Sequence, residues 1–223
     1  MRSKIRVVFT LAFGLMPSSK VKNLLLRASG NSVHSSASIG PSLIWRVKRF
    51  SAGPGARIGG FNVFRDMNAV VLEVGARVGS WNWISAAVPF LRMRDENGVL
   101  NVGDYAAITS RHYLDCSGGI SVGRFSIVAG QRSTILTHGI DFESSRQTAA
   151  GVDIGSYSFM STNCTVLKGA SLPDRSVLAA GAVLSRSKSG ELAEGLWGGV
   201  PARFLKPVDG DFFDRTVPYV TAE

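Results

Sequence analysis

From Ile154 onward the chain falls into units of six residues whose first position is aliphatic: Ile154, Met160, Val166, Leu172, Leu178 and Leu184. The fifth position of the same units is Ser158, Cys164, Ala170, Ser176 and Ala182, all small, until Lys188 closes the series. Six residues are too few for a helix-turn-helix repeat. They suit a short strand and a turn, with three units closing one triangular coil. The pattern predicts an all-β parallel solenoid whose aliphatic positions, and the small residues beside them, face a narrow interior. Cys164 then reads as a small core residue rather than a nucleophile.

Upstream the period is looser. Aliphatic-glycine pairs recur at Ile39-Gly40, Ile58-Gly59, Val74-Gly75, Val78-Gly79, Val102-Gly103 and Val122-Gly123. Val102, Ile108, Leu114 and Ile120 keep the spacing of six, then Val122 and Val128 run two residues out of it, which predicts a bulge or insertion near Ser117-Gly118-Gly119. Residues 89–97 and 139–152 break the pattern and read as loops leaving the coils. Periodicity alone leaves the handedness of the coil open.

The first thirty residues show a different pattern. Residues 5–16 are mostly apolar and follow Arg2, Lys4 and Arg6, but no small-x-small cleavage site comes after them, only Met16-Pro17-Ser18-Ser19. As a helix this stretch would extend roughly 18 Å, short of a bilayer core of about 30 Å. Residues 1–28 are expected to form one or two amphipathic helices that cover the end of the core or lie on a membrane surface. The expected organisation is a helical segment over 1–30, a β-helix over 31–208 with a loop projecting at 139–153, and a tail over 209–223.

Composition narrows the partners. The 25 glycines fit many tight turns, and a net charge of +9 with a pI near 10.1 favours anionic partners. No RNP-type aromatic motif, zinc-finger spacing or basic heptad helix is present, so nucleic acid is not the expected partner. Cys116 and Cys164 lack CxxC spacing, so neither a disulfide framework nor a metal site is indicated, and a reducing cytoplasm is the expected compartment, with peripheral contact at the inner face of the membrane through residues 1–28.

The hexads resemble those of the hexapeptide-repeat acyltransferase superfamily, and residues 154–208 resemble its C-terminal signature. Gly198-Gly199-Val200-Pro201-Ala202-Arg203 is similar to that family's Gly-Asn-Pro-Ala-Lys ending, and Thr134-Ile135-Leu136-Thr137-His138 to the segment bearing the catalytic histidine of sugar and small-molecule O-acetyltransferases. Two departures stand out: Phe159 where the family often has tryptophan, and Ser161-Thr162-Asn163 in place of Gly-Ala-Asn. The resemblance implies a left-handed parallel β-helix, a homotrimer with active sites between subunits, and acetyl-CoA as acyl donor to a sugar or glycan, with no metal.

Acyl transfer from a thioester needs the attacking oxygen or nitrogen to lose a proton, a task suited to an imidazole with an ordinary pKa of about 6.5. His138 is the candidate base, with Asp141 or Glu143 to orient its second nitrogen and a backbone N–H near Asn163 or Ser161 for the oxyanion. For CoA, Ser161, Ala180, Gly181, Gly199, Pro201 and Ala202 would lie along the pantetheine, and Arg186, Lys188, Arg203 and Lys206 near the phosphates. His112, at a fifth hexad position, reads as structural. Trp81, Trp83, Phe90 and Tyr113 could stack on a sugar, but packing in the core or a subunit interface is the stronger reading. A zinc enzyme on a similar scaffold would need three histidines, and the spacings of His34, His112 and His138 do not match. The remaining alternatives are an N-acyltransferase of a nucleotide amino-sugar and a silent scaffold, and only the scaffold should tolerate His138→Ala.

Overall fold

The computed structural model describes residues 2–187 and 193–217; Lys188 lies outside the described residues. The chain winds as a left-handed parallel β-helix with three faces. One face stacks Ser32–Val33, residues 49–52 and 69–72, Val99–Val102, Ile120–Val122, Val152–Ile154 and Ser171–Leu172. The second stacks the two-residue strands from Ser38–Ile39 to Val177–Leu178, and ends on Leu196–Gly199. The third stacks residues 42–45 and 62–65, then Trp83–Ser85, Tyr113–Asp115, Thr134–Leu136, Thr165–Leu167 and Val183–Leu184.

Alternation explains the core. The first hexad positions Ile154, Met160, Val166, Leu172, Leu178 and Leu184 are all at most 2% exposed, and Cys164 and Ala170 are fully buried beside them. The fifth positions do more than fill space, because their side chains bind the next coil. At the corner between the second and third faces, His112 N–H donates to Asn82 Oδ1, Ser133 N–H to His112 Nδ1, and Cys164 N–H to Ser133 Oγ. His112 Nε2 lies 2.9 Å from Thr109 Oγ1, and burial pushes its pKa down to about 4, so it is a neutral rung of this ladder. At the next corner Ser126, Ser158 and Ser176 accept backbone N–H bonds in the same way. Each small polar residue thereby satisfies a turn amide that the parallel ladder leaves over.

The break in period near residue 118 is real: Ile120 and Val122 are both buried, and the two added residues lie in the turn ending at Gly119, φ 91°. Both predicted loops leave the helix at this corner, between the third and first faces. The first carries a 3-10 turn, Val88–Arg92; the second is an antiparallel hairpin, His138–Asp141 against Arg146–Ala149.

Two helices, α1 (Arg2–Gly14) and α2 (Lys20–Ala28), precede the first coil. Leu26 joins the core, and the buried Lys22 donates to the carbonyls of Gly14, Met16 and Gly40 at 2.8–2.9 Å, joining both helices to the first coil. No helix among the described residues is long and apolar enough to cross a membrane. At the other end the tail folds back beside the corner between the first and second faces, where Arg175 pairs with Asp209 and Asp214.

Candidate active site

The corner from which both insertions emerge holds a histidine-carboxylate pair. Asp115 ends its strand opposite Leu136 of the next coil, two residues before His138. Coil stacking therefore brings together two residues far apart in sequence. His138 Nδ1 lies 2.6 Å from Asp115 Oδ2, with the carboxylate buried and the imidazole partly open. The same oxygen accepts the backbone N–H groups of Thr137 (2.9 Å) and His138 (3.0 Å), and Oδ1 accepts Ser117 N–H (3.1 Å) and Oγ–H (2.5 Å). Burial pulls this carboxyl upward, but the bonds from Ser117 and His138, and the charge on His138, outweigh it and hold Asp115 below the usual carboxylate range.

An ionised Asp115 can only accept, so Nδ1 carries the proton and Nε2 is the basic nitrogen. The pair is locked from both insertions. Ala87 N–H, at the root of the first, donates to Ser117 Oγ (2.9 Å), and Thr137, at the root of the second, donates its hydroxyl to Asp115 O (2.6 Å). Gly118 N–H in turn donates to Thr137 Oγ1 at 2.8 Å. A Cβ on Gly118 would stand 2.5 Å from the backbone of Ala150, so only glycine lets the two segments cross here. The Phe90 ring lies 5.6 Å from the imidazole and walls one side of it. Burial and the neighbouring Asp115 charge raise the Cys116 thiol well above its ordinary range, which leaves it unreactive.

Beside the pair, a groove of about 1320 Å³ runs between the hairpin and the first face. His138 is not in its wall; Ala149, its cross-strand partner, is. Lys168 and Arg186 bring positive charge to this groove, with Lys168 Nζ donating to Thr148 Oγ1 at 2.5 Å. Ile140 and Phe142, the latter 89% exposed, project from the hairpin.

The orienting carboxylate was expected at Asp141 or Glu143, and the structure corrects this. Asp141 lies in the groove wall and caps the hairpin tip, accepting Glu143 N–H (3.0 Å) and Ser144 Oγ–H (2.8 Å) rather than pairing with His138. Glu143 is exposed at the same tip. The N–H groups of Asn163 and Ser161 themselves bond Gln131 O (3.0 Å) and Leu178 O (2.9 Å). Of the residues expected along CoA, Arg186 shares the His138 corner. Ser161, Ala180 and Gly181 sit at or near the opposite edge of the third face, roughly 20 Å away at about 3.3 Å per strand residue. Gly199, Pro201, Ala202 and Arg203 lie in the terminal hairpin, Leu196–Gly199 against Ala202–Lys206, which continues the second face. Gly181 faces open space, with nothing within 4 Å of a Cβ built there. Within one chain these positions and His138 do not form a single pocket. Trp81, Trp83 and Tyr113 are exposed in this chain, with Trp81 stacked on Phe61, and Phe90 is buried.

The fold is that of the hexapeptide-repeat acyltransferases. The N-acyltransferase AntD of Bacillus cereus, solved with dTDP-4-amino-4,6-dideoxyglucose and coenzyme A, aligns at a TM-score of 0.52 and 12% identity, over 89% of this chain and 94% of that one. A hexapeptide transferase family protein from Anaplasma phagocytophilum aligns at a TM-score of 0.46 and 19% identity, over 82% of each chain. A hexapeptide-repeat acetyltransferase from Vibrio cholerae aligns at a TM-score of 0.47 and 14% identity, over 94% of this chain and 91% of that one. Neither a protein-family profile nor a curated protein sequence matches the chain.

Proposed function

We propose that this protein is a CoA-dependent acyltransferase that moves an acetyl group from acetyl-CoA to a hydroxyl of a sugar or glycan, with His138 as general base. The observation that carries this reading is the Asp115–His138 pair, a buried, fully hydrogen-bonded carboxylate that fixes the imidazole tautomer at the edge of a groove. Nε2 takes the proton from the acceptor hydroxyl as its oxygen bonds to the thioester carbon. The tetrahedral adduct then collapses with loss of the CoA thiolate, which recovers that proton from the imidazolium. Asp115 stays ionised throughout and stabilises the transient cation.

Lys168 and Arg186, on this reading, meet phosphates of the donor or of a nucleotide-linked acceptor. On this reading the protein acts as a homotrimer in which one subunit's His138 corner meets another's Gly181 edge, with the donor between them. A second reading, N-acylation of a nucleotide amino-sugar, draws on the fold shared with AntD. The same Nε2 would serve an amine.

The test is thiol release from acetyl-CoA against a panel of sugars, glycans and nucleotide amino-sugars, comparing wild type with His138→Ala. Release that needs both an acceptor and His138 supports the acyltransferase, and the best acceptor separates O- from N-transfer. If no acceptor gives His138-dependent release, the chain is a binding scaffold.

A further inference from the structure

The N-terminal end of the molecule differs from the rest in charge and in surface. The 65 residues before Asp66 hold eleven of the 25 Lys and Arg and none of the 16 Asp and Glu; the remaining 14 basic and 16 acidic residues nearly cancel. The protein's positive charge is thus an end effect. These residues form α1, α2 and the first coils, and Arg6, Arg46 and Lys48 line one groove between α1 and the strand Ser42–Ala52.

The outward faces of the two helices are apolar. Thr10 and Gly14 of α1, and Lys22, Asn23 and Leu26 of α2, are buried toward the β-helix. Turned away from it, at the 3-4 spacing of one helical face, are Ile5, Val8, Phe9 and Ala12 on α1, and Val21, Leu24 and Ala28 on α2. The large ones among them are 48–59% exposed, as is Leu15 between the helices. A capping helix needs one apolar face, toward the core. These helices carry apolar side chains on the face turned away from it as well.

We propose that this end of the β-helix docks on an anionic lipid bilayer, with the outward faces of α1 and α2 sunk into the headgroup region and the surrounding Lys and Arg against lipid phosphates. Two features select this occupant. An apolar helical stripe amid cations is the pattern of an interfacial helix rather than of a polyanion site. The absence of acidic residues makes the same surface repel a second copy of itself. Docking here leaves the His138 corner on a later coil, four strand spacings or roughly 19 Å along the axis from the first coil.

The experiment is flotation of the full-length chain with vesicles of phosphatidylcholine alone or with about one-quarter phosphatidylglycerol. The expected partition is at least about ten-fold higher on the anionic vesicles, the gain from as few as two basic side chains at the surface, and is lost near 0.5 M salt through screening. Phe9→Asp with Leu24→Asp, both on exposed positions, is expected to lower it about ten-fold with unchanged circular dichroism. Lys20→Glu with Lys48→Glu should lower binding to the anionic vesicles only. Equal binding to both vesicles, or binding indifferent to both variants, overturns the proposal; so does a change in oligomer size in the Phe9/Leu24 variant without vesicle binding, which would assign the face to a second copy. The readout needs neither acyl donor nor acceptor, so it stands apart from the test of the acyltransferase reading.

Discussion

Replacing Asp115 by asparagine keeps the volume and removes the charge. The carboxylate Oδ2 receives the His138 Nδ1 proton and the backbone N–H groups of Thr137 and His138, while Oδ1 receives two donors from Ser117. An asparagine has one acceptor oxygen, so its NH2 group must point at one of these donor sets. If it faces Ser117, the neutral oxygen still accepts the Nδ1 proton, weakly, but Ser117 N–H is left opposed. If it faces His138, it donates to Nδ1, the ring proton moves to Nε2, and the base is gone. Unsatisfied buried donors cost about 1–3 kcal/mol each, so a loss of stability of about 2–3 kcal/mol is expected. A wrong-tautomer histidine should lower kcat about 10³–10⁴-fold, or roughly 4–5.5 kcal/mol of barrier. Thiol release on the best acceptor gives the kinetic readout. Nitrogen-15 NMR of the imidazole gives the tautomer directly, without an acceptor. An Asp115→Asn enzyme with kcat within about three-fold of wild type and an unprotonated Nε2 would refute the assigned role. Acid stability offers a further check, because the Asp115 pKa is lowered by folding. Its contribution is present above the unfolded carboxylate pKa, about 3.9, and is lost as pH falls through the folded value, so the variant should lack that part of the acid limb.

Three further outcomes follow from named contacts. Asp141→Asn should leave kcat within about two-fold of wild type in the thiol-release assay, since Asp141 bonds only the hairpin tip; a drop of about 10²-fold or more would return the orienting role to it. Gly118→Ala should both lower the melting temperature, by an amount corresponding to more than about 2 kcal/mol, and impair kcat, because the added Cβ strikes the Ala150 backbone beside Thr137. Burial lowers the Lys22 pKa to about 8, so between pH 8 and the unfolded value near 10.5 the unfolded chain binds the extra proton. Chemical denaturation should therefore show stability rising across that window, by no more than about 3 kcal/mol, and Lys22→Met should abolish the rise.

The solenoid and its core were legible in the order of residues alone. A β-helix interior accepts one aliphatic and one small residue per turn of six, a local rule that repeats along the chain, so Ile154, Cys164 or Leu178 could be assigned without knowing any partner. The order of residues also located the break at residue 118 and the two departures from the coils, because an insertion shifts the period visibly. Tertiary structure alone decided the partner of His138. Asp115 follows an inward-facing Leu114 and on the local pattern should be one more outward residue of a face. It is buried because both insertions leave at its corner and close over it. The pairing joins positions 23 residues apart, a span set by the length of one coil plus its irregular turn, and no hexad rule gives that length where the period breaks. The polar run Asp115-Cys116-Ser117-Gly118-Gly119 at the break was the available signal. Asp141, close in sequence to His138, lost its expected role for the same reason: the antiparallel hairpin places it opposite Arg146 and carries it away from the ring. Proximity along the chain favoured Asp141, whereas the stacking of coils, which sets distance across the chain, favoured Asp115.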